Sequence, residues 1–380
     1  MNSRERFLAV LRYEAVDVTP LPCLLQCFET ETIQRWYREG LRRDAHVVQQ
    51  FGFERIEVAP VILGPLPPLE TADVEESEEW RAGTDREHVD AAIGRADAAR
   101  EHFPIRSREH WSAMRRRLDP ASPARYPRFF ADYCRERADR DYPLGLQLTG
   151  PFSGLREWMG LRHLGTAIRA ERSWVEEMVA YLVDFIVQAT QRVARSLDLD
   201  FAIIREPWAY RADTVGSFDE FGQLFRPFYR QVTDFFREAG IPTVFILTKG
   251  PVAQLIPFWL ANGVNGLGYL EASAGLDATS LRKRYGRDLA LIGNLDHQAL
   301  AGQWRDIADE VLAKAPPLLE QGGYFPTVDR PVPSDVPLEN FEYYLALLRY
   351  LGGERAAEWV SHERKHVWSI FQPAGGRALG

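Results

Sequence analysis

The sequence predicts a (β/α)8 barrel with an extra helix at its N-terminus and an insertion after the second strand. Short apolar runs alternate with segments of helical periodicity, and long connections of this kind are typical of parallel strands. The runs lie near residues 24, 57, 146, 202, 245, 269, 291 and 325, which matches the eight strands of such a barrel. No Gly-x-Gly-x-x-Gly phosphate-binding pattern favours a doubly wound sheet instead.

The clearest alternation lies between residues 243 and 296, where three apolar runs are separated by two segments of helical periodicity. Each run is followed by polar residues within a few positions. The runs span 244–247, 267–270 and 289–292, and the polar residues are Thr248, Lys249, Glu271, Asn294 and Asp296. Because α/β enzymes carry their sites at the carboxyl ends of parallel strands, these side chains are predicted to line a functional site.

The first part of the chain gives the extra helix, two strands and the insertion. Ser3 is predicted to cap the first helix, which ends before residues 17–20. A strand over 22–28, a helix over 41–51 and a second strand over 55–59 follow. The alternation then stops from 62 to 142, which we interpret as an insertion with a small antiparallel hairpin and helices near 108–118 and 127–137. Its aromatic residues argue against a disordered linker.

Alternation resumes in the remainder of the chain. A strand over 144–149 precedes a helix over 173–197 that carries one continuous apolar stripe. The other predicted elements are a strand over 200–204, helices over 218–239, 304–315 and 338–351, and an apolar run over 323–328.

Composition excludes several classes of partner. The chain has 380 residues, of which 46% are hydrophobic and 26% charged, as in ordinary soluble globular proteins. Its formal net charge of -8 argues against a nucleic-acid partner. No apolar run approaches the roughly 20 residues that span a bilayer, and MNSRERFLAVLRYE lacks the apolar core of a signal peptide. We therefore expect a cytoplasmic protein that binds neither nucleic acid nor membrane.

The three cysteines are too few for a disulfide framework or a four-thiolate metal site, which fits a reducing compartment. Cys23 and Cys27 are four residues apart, so on a strand they share a face. We interpret them as two small core residues rather than a thiol pair.

Three phrases carry a resemblance to a known family: MNSRERFLAVLRYEAVDVTPLP, LRKRYGRDLALIGNLD and GGYFPTVDRPVPSDVPLENFEYYLALLRYLG. They resemble the uroporphyrinogen decarboxylase superfamily, which contains uroporphyrinogen decarboxylases and corrinoid-linked methyltransferases with barrel folds. The resemblance extends to about Leu351 and implies one barrel domain over 1–352, then a C-terminal helix and tail over 353–380. Because relatives commonly pair, it also implies a homodimer.

Two motifs of the superfamily differ in this chain. The arginine-rich motif that binds substrate carboxylates in the decarboxylases corresponds to Leu25-Gln26-Cys27-Phe28-Glu29, which contains no arginine. The His-x-Cys zinc motif of the methyltransferases corresponds to Leu247 and Lys249, and no cysteine follows Cys134. We therefore expect neither uroporphyrinogen as the substrate nor a thiolate zinc site, and we predict no metal ligand.

Glu206, Lys249 and Asp296 are the predicted catalytic residues. Lys249 stands where relatives have a zinc ligand, and a buried ammonium needs a partner such as Glu206, Glu271 or a substrate anion. We interpret Lys249 as a carboxylate anchor or proton donor, or as half of a structural ion pair. We interpret Glu206 as an acid, a base or a hard metal ligand. The alternative is that Arg205 and Glu206 only close a turn.

Substrate-binding roles are predicted for a second group of residues. Asn294 and Asp296 belong to a Gly-Asn-Leu-Asp phrase that recurs across the superfamily. We therefore retain two interpretations, a role in orienting the substrate and a structural role in the loop. We interpret His297 as a surface or helix-start residue. Arg330 corresponds to the family's histidine in the last strand-loop and binds a carboxylate or phosphate, or pairs with an acid. The predicted substrate-binding residues are Arg205, Tyr210, Glu271, Asn294, Arg330, Gln26 and Glu57.

These residues favour decarboxylase-like proton transfer on a small carboxylate-bearing molecule. Lys249 and Arg330 then hold the anion, Glu206 with Asp296 or Glu271 moves protons, and no cofactor is expected. A second hypothesis is methyl transfer with a separate corrinoid protein, since the long insertion resembles the methyltransferase branch. A third is a non-catalytic ligand-binding barrel that has lost both known sets of catalytic groups.

Overall fold

The structure is a computed structural model that describes residues 1–24, 27–69, 103–206 and 217–354. In chain order its helices are α1 (Ser3–Leu11), α2 (Thr30–Arg38), α3 (Val47–Gln50), α4 (Arg108–Arg117), α5 (Phe130–Glu136), α6 (Pro151–Met159), α7 (Leu161–Ala170), α8 (Arg172–Ser196), α9 (Phe218–Glu238), α10 (Ile256–Ala261), α11 (Ala278–Tyr285), α12 (His297–Ala301), α13 (Trp304–Gln321) and α14 (Leu338–Leu351). Its strands are β1 (Glu57–Val58), β2 (Leu144–Thr149), β3 (Phe201–Glu206), β4 (Val244–Thr248), β5 (Gly266–Gly268), β6 (Ala290–Ile292) and β7 (Tyr324–Phe325).

The described residues group into two compact units. The first unit contains residues 1–56 and 277–287 and the described chain from 291 onward. The second unit contains residues 57–276 and 288–290. The single barrel domain over residues 1–352 stays a prediction.

A parallel sheet forms the centre of the second unit. Strands β1 to β5 pair in chain order, so that Leu146 lies opposite Ala202 and Ile204 opposite Ile246. The predicted strand over 144–149 coincides with β2, and the other four predicted runs overlap β1, β3, β4 and β5. The alternation of apolar runs and helical segments therefore predicted these strands correctly.

The two faces of this sheet have different surroundings. Successive side chains of a strand point to opposite faces, so Ile204 and Glu206 of β3 share one face. Glu206 bonds to Ser153 at the start of α6 and to Tyr229 of α9, so helices cover this face. We call it the helix-covered face and the other one the opposite face. Ile204 is fully buried, as expected for a strand residue packed under helices.

Helices α8 and α9 confirm the predicted helices over 173–197 and 218–239. The apolar stripe of α8 is buried throughout, for example at Met178, Leu182, Phe185 and Val193. This burial follows from the helical spacing of those positions, which places them on one face of the helix.

The insertion contains α4 and α5 at the two predicted places. It is fastened by the fully buried Arg125, whose guanidinium donates to the carbonyls of Ile62, Gly64, Arg117 and Asp119. Backbone acceptors of this loop are thereby satisfied inside the protein. The predicted hairpin falls largely within residues 70–102, outside the described residues, as do residues 355–380 of the predicted C-terminal helix and tail.

The first unit contains the parallel pair β6 and β7, in which Leu291 lies opposite Tyr324. The predicted first strand over 22–28 is present only as two isolated parallel bridges, Pro22 to Glu54 and Phe28 to Val332. Across its described residues the chain is thus a parallel α/β protein with seven strands. A closed eight-stranded barrel stays a prediction.

Several predicted boundaries were wrong for identifiable reasons. Asn2, not Ser3, caps α1, because the Asn2 side chain accepts the Glu5 amide. The helix predicted over 41–51 is reduced to α3, and the run over 323–328 forms only the two-residue β7. Helix α13 continues six residues beyond 315 through two prolines, since the buried Leu318 extends its apolar face. Helices α2, α6 and α7 were not predicted.

Cys23 and Cys27 form a disulfide, with their Cα atoms 6.0 Å apart. The interpretation as two separate core residues was therefore wrong, since this Cα separation lies within the range that a disulfide spans. No helix among the described residues is long and apolar enough to cross a membrane. The cytoplasmic localisation stays a prediction.

Candidate functional site

Two cationic residues lie at neighbouring strand ends. Arg205 of β3 pairs in register with Leu247 of β4. Since Glu206 points to the helix-covered face, Arg205 points to the opposite face, as Leu247 does. Lys249 follows β4 directly, two residues past Leu247. Neighbouring strands lie about 4.8 Å apart and alternate residues of a strand about 6.6 Å apart, so these two positions are close in the sheet.

The surroundings of Arg205 leave its charge available for a ligand. Arg205 and Lys249 are half-buried, and Thr149, opposite Arg205 on β2, is exposed. Within the described ranges no carboxylate forms an ion pair with Arg205. A guanidinium at a partly open strand end suits carboxylate recognition, because its planar fork can donate two parallel hydrogen bonds.

The loop that carries Lys249 is fixed by residues following β5. The buried Glu271 accepts the Gly250 amide at 2.7 Å and the Ser273 hydroxyl at 3.3 Å. The Lys249 ammonium lies 5.9 Å from the centre of the Tyr269 ring, within the range of a cation–π contact. The structure thus brings Lys249 and Glu271 into one loop cluster, where Glu271 holds the backbone next to the lysine.

Glu206 forms a closed hydrogen-bond network on the helix-covered face, where it is 3% exposed. Its carboxylate accepts the Ser153 hydroxyl at 2.6 Å, the Tyr229 hydroxyl at 2.8 Å, and the amides of Ser153 and Phe152 at 3.0 and 3.3 Å. The two amides belong to the first turn of α6, whose unpaired N–H groups favour a carboxylate. Glu206 therefore ties the end of β3 to α6 and α9.

The charge state of Glu206 is set mainly by burial. Loss of water raises its pKa to about 7, against the opposing effect of the hydrogen bonds from Ser153, Tyr229 and Phe152. Burial and the neighbouring Glu206 carboxylate also raise the pKa of Tyr229 well above its usual value, so this phenol keeps its proton and donates. The site role predicted for Glu206 stays a prediction.

Glu57 is on the helix-covered face rather than with Arg205. Register places Val58 opposite Gly145, which in turn pairs with Phe201, so Val58 shares the opposite face with Phe201 and Arg205. Glu57 therefore points the other way, where the Arg137 guanidinium lies 2.8 Å from its carboxylate. This ion pair fastens β1 to the end of α5.

Asn294 and Asp296 of the first unit have structural contacts. Asn294 is fully buried with φ 78°, and its side-chain oxygen accepts the Ala278 amide at 2.8 Å. Asp296 caps α12 by accepting the Gln298 amide at 2.9 Å, while its own amide donates to Glu310. Both residues hold loops after β6, which fits the structural reading of the Gly-Asn-Leu-Asp phrase.

His297 and Asp329 form a contact that the sequence did not predict. The His297 ring nitrogen Nδ1 lies 3.0 Å from the Asp329 carboxylate. Asp329 is fully buried and His297 is 8% exposed, so His297 begins a helix as expected but is not a surface residue. The Arg330 Nε lies 3.7 Å from the same carboxylate, which agrees with pairing to an internal acid.

Gln26 and Tyr210 lie outside the described residues. Sequence reasoning missed Ser153 and Tyr229, because both are contacts of Glu206 from helices, one of which was not predicted. It also missed Asp329 as a partner of His297, since they are 32 positions apart in the chain. The sequence signal that could have found this pair is that His297 and Asp329 both follow the ends of predicted strands.

Fold and site together define a parallel α/β protein with ionisable side chains at the carboxyl ends of its strands, as in α/β enzymes. The uroporphyrinogen decarboxylase family model matches residues 93–350, and the chain belongs to this family. A methyltransferase from Methanosarcina mazei is similar in fold, with a TM-score of 0.53 and 16% identity over 92% of this chain and 98% of that chain. At this identity the likeness concerns the fold alone. A comparison with curated proteins gave no match.

Proposed function

We propose that this chain is an enzyme that decarboxylates a small carboxylate-bearing molecule. The observation that carries the proposal is the placement of Arg205 and Lys249 at the ends of two neighbouring strands. Two cations at adjacent strand ends suit a carboxylate, which Arg205 can bind with two hydrogen bonds and Lys249 with a point charge. Membership of the uroporphyrinogen decarboxylase family supports the reaction class.

In the proposed reaction, Arg205 and Lys249 hold the substrate in an orientation that allows its carbon–carboxylate bond to break. The electron pair of that bond stays on the carbon, CO2 leaves, and a proton takes the vacated position. One carboxylate and one proton thus give one R–H product and one CO2. Positioning the substrate and supplying the proton are the two tasks of the protein.

Uroporphyrinogen is not the proposed substrate. The segment that corresponds to the arginine-rich motif of the decarboxylases contains no arginine. A polyacid needs several cationic partners, whereas Arg205 and Lys249 suit one or two carboxylates. Glu206 is proposed to keep β3, and with it Arg205, in place, because all four of its hydrogen-bond donors come from the protein.

The proposal is tested by incubating the full-length chain with a panel of small mono-, di- and tricarboxylates. We expect at least one acid to raise the melting temperature and to release CO2, and its product to gain one deuterium when the reaction runs in D2O. Lys249→Met and Arg205→Met are expected to weaken binding of that acid by about 10- to 100-fold, as for loss of a hydrogen bond to a charged group.

Two exposed cations serve as matched controls, Lys283 in α11 and Arg195 in α8. Lys283→Met and Arg195→Met should leave binding and turnover unchanged. Carboxylate binding without CO2 release would contradict the enzyme and favour a binding protein. Equal loss of binding in the control variants would show that net charge, and not the strand-end pair, attracts the acid.

Methyl transfer is the second candidate, and the likeness in fold to the Methanosarcina mazei methyltransferase favours it. A zinc ion does not fit the strand end, because Leu247 offers no donor atom and Lys249 presents an ammonium. The chain would then need acid catalysis and a separate corrinoid protein. Adding a reduced corrinoid and methylated aromatic donors tests methyl transfer. Demethylation of the donor methylates the corrinoid, which changes the absorbance of the corrinoid. Demethylation without CO2 release would replace the first proposal.

A further inference from the structure

The disulfide between Cys23 and Cys27 of the first unit is accessible and closes a short ring. Both cysteines are half-buried, so a small thiol can approach them. Exposed disulfides exchange with soluble thiols more readily than disulfides sealed in a core. The two cysteines are only four positions apart in the chain. Because a disulfide restricts the unfolded chain more as its ring grows, this bond stabilises the fold less than a long-range disulfide does.

Backbone pairing holds the chain on the Cys23 side of the bond. Pro22 forms a parallel bridge with Glu54, and the Leu21 carbonyl accepts the Glu54 amide at 3.2 Å. Leu21 is itself buried in the core. The backbone that leads into Cys23 is therefore fixed by hydrogen bonding and burial, and not by the disulfide alone.

A separate set of contacts holds the chain on the Cys27 side. Phe28 forms a parallel bridge with Val332, whose amide donates to the Cys27 carbonyl at 2.9 Å. The Phe28 side chain is buried, and its ring centre lies 5.2 Å from that of Trp36 and 5.4 Å from that of Phe341. Edge-to-face aromatic pairs at such distances stabilise the core beyond the area that they bury. Cys27 is thus attached to a packed aromatic cluster.

These two sets of contacts keep the cysteines close together. Their Cα atoms are 6.0 Å apart, which lies within the range that a disulfide spans. Because each cysteine is next to a residue held by backbone pairing, we expect this separation to persist when the bond is reduced. Two thiols held at this separation react with a high effective concentration. The bond can therefore open and close within the folded unit.

We propose that Cys23 and Cys27 are a reversible redox pair, which soluble thiols modify covalently. In reduction, the thiolate of an external thiol attacks one sulfur of the pair, which forms a mixed disulfide and releases the other cysteine as a thiol. A second external thiol then releases the first cysteine. Two external thiols thereby become one disulfide, and their two electrons and two protons pass to the two cysteines. Oxidation of the pair by that disulfide is the reverse reaction. This chemistry is independent of the proposed decarboxylation.

Counting the thiols of the folded full-length chain tests the pair directly. The chain is equilibrated with mixtures of reduced and oxidised glutathione and alkylated, and the labelled Cys23 and Cys27 are quantified by mass spectrometry. We expect millimolar reduced glutathione to open the bond and oxidised glutathione to close it. Because the exchange consumes two thiols, the ratio of reduced to oxidised protein should rise about fourfold when reduced glutathione doubles at constant oxidised glutathione.

Two outcomes of this titration overturn the proposal. A bond that stays closed in the folded chain at every glutathione ratio is a structural disulfide. Two cysteines that oxidised glutathione fails to join in the folded chain are separate thiols. The control is Cys134, a half-buried cysteine outside the disulfide, whose thiol has its pKa raised by burial and so forms less thiolate. Cys134→Ser should leave the titration unchanged, and a titration that disappears in this variant also overturns the proposal.

Single substitutions test whether the two sulfurs act together. Cys23→Ser and Cys27→Ser each retain one thiol of the pair, so a mixed disulfide with glutathione has no neighbouring thiol to release it. We expect each variant to accumulate about tenfold or more of this adduct at the remaining cysteine than the wild type does. Equal amounts of adduct in the wild type and both variants would show that the sulfurs act separately, which overturns the pair.

Hydrogen exchange tests whether the unit stays folded when the bond opens. Helices α2 and α14 carry Trp36 and Phe341, which pack on Phe28. We expect amide protection in both helices to be the same in the oxidised and reduced chains, because their contacts do not involve the disulfide. Loss of protection throughout both helices on reduction would show that the bond holds the fold. That result overturns a reversible pair in favour of a structural disulfide.

Discussion

A carboxyl group that is almost completely removed from water lies at the end of β3. Glu206 is 3% exposed, and each of its four hydrogen-bond donors belongs to α6 or α9. Burial raises its pKa to about 7. In the folded chain Glu206 thus keeps its proton up to about pH 7, whereas a solvated glutamate releases it near 4.5.

This difference makes stability depend on pH. Between about pH 4.5 and 7 the folded state binds more protons than the unfolded state, so the contribution of Glu206 to stability falls as the pH rises. One pKa unit corresponds to about 1.4 kcal/mol, so the loss amounts to about 3 kcal/mol and is complete above about pH 7. We predict that Glu206→Gln, which cannot ionise, gains about 2–3 kcal/mol relative to the wild type from about pH 5 to about pH 8.

Urea unfolding of both proteins at the two pH values measures this difference. Glu238→Gln, an exposed glutamate at the end of α9, is the control and should leave the pH dependence unchanged. Other titrating groups are common to all three proteins and cancel in the comparison. If the free energies of unfolding of Glu206→Gln and the wild type changed equally between the two pH values, the pKa of Glu206 would not be raised in the folded chain. This result would contradict the prediction.

At the scale of elements, the turn from β2 to α6 is shaped by this carboxyl group. A Cβ atom added at Gly150 would lie within hard contact distance of the Glu206 carboxylate, at 2.0 Å from Oε1. The backbone angles of Gly150 are ordinary, with φ -69°. Glycine is therefore needed here for space and not for conformational freedom.

Gly150 in this turn and Gly154 inside α6 give opposite predictions. Gly150→Ala should destabilise the protein by about 1–3 kcal/mol, because the methyl group displaces a carboxylate with four hydrogen bonds. Gly154→Ala lies inside α6, where the added Cβ has only an ordinary contact at 3.8 Å with Thr149. Gly154→Ala should leave the stability of the protein unchanged or raise it by up to about 1 kcal/mol, since alanine is more favourable than glycine in a helix interior. Thermal and urea unfolding measure both.

A Gly150→Ala variant as stable as the wild type would contradict the tight contact between this turn and Glu206. Gly154→Ala controls for a general intolerance of α6 to larger residues. Because the two positions are four residues apart in one segment, differences in expression or in the unfolded chain affect both alike.

The elements that periodicity predicted well are long or apolar. Helix α8 and strand β2 were located to within one residue, because their burial requires many apolar side chains in a regular pattern. Helices α6 and α7 were missed since Gly150, Pro151 and Gly160 are also typical of loops. In the structure Pro151 occupies the first turn of α6, a position that needs no amide donor.

The whole molecule shows how far the site itself was predictable. The order of the apolar runs placed Arg205 and Lys249 correctly at strand ends, since the carboxyl ends of parallel strands follow from the chain direction. It did not reveal that Glu206 and Glu57 point to the helix-covered face, because facing depends on strand register. The His297–Asp329 contact joins two distant loops, and no local pattern in one sequence encodes such a distance. The homodimer stays a prediction.

Whether Arg205 and Lys249 bind one carboxylate is the central claim, and a double-mutant cycle tests it most directly. Binding of the best acid from the panel is measured by calorimetry for the wild type, Arg205→Met, Lys249→Met and the double variant. Side chains that share one ligand group give non-additive effects, so the double variant should lose less than the sum of the single losses, by about 0.5 kcal/mol or more. Additive losses, or no loss in either single variant, would contradict a shared carboxylate site.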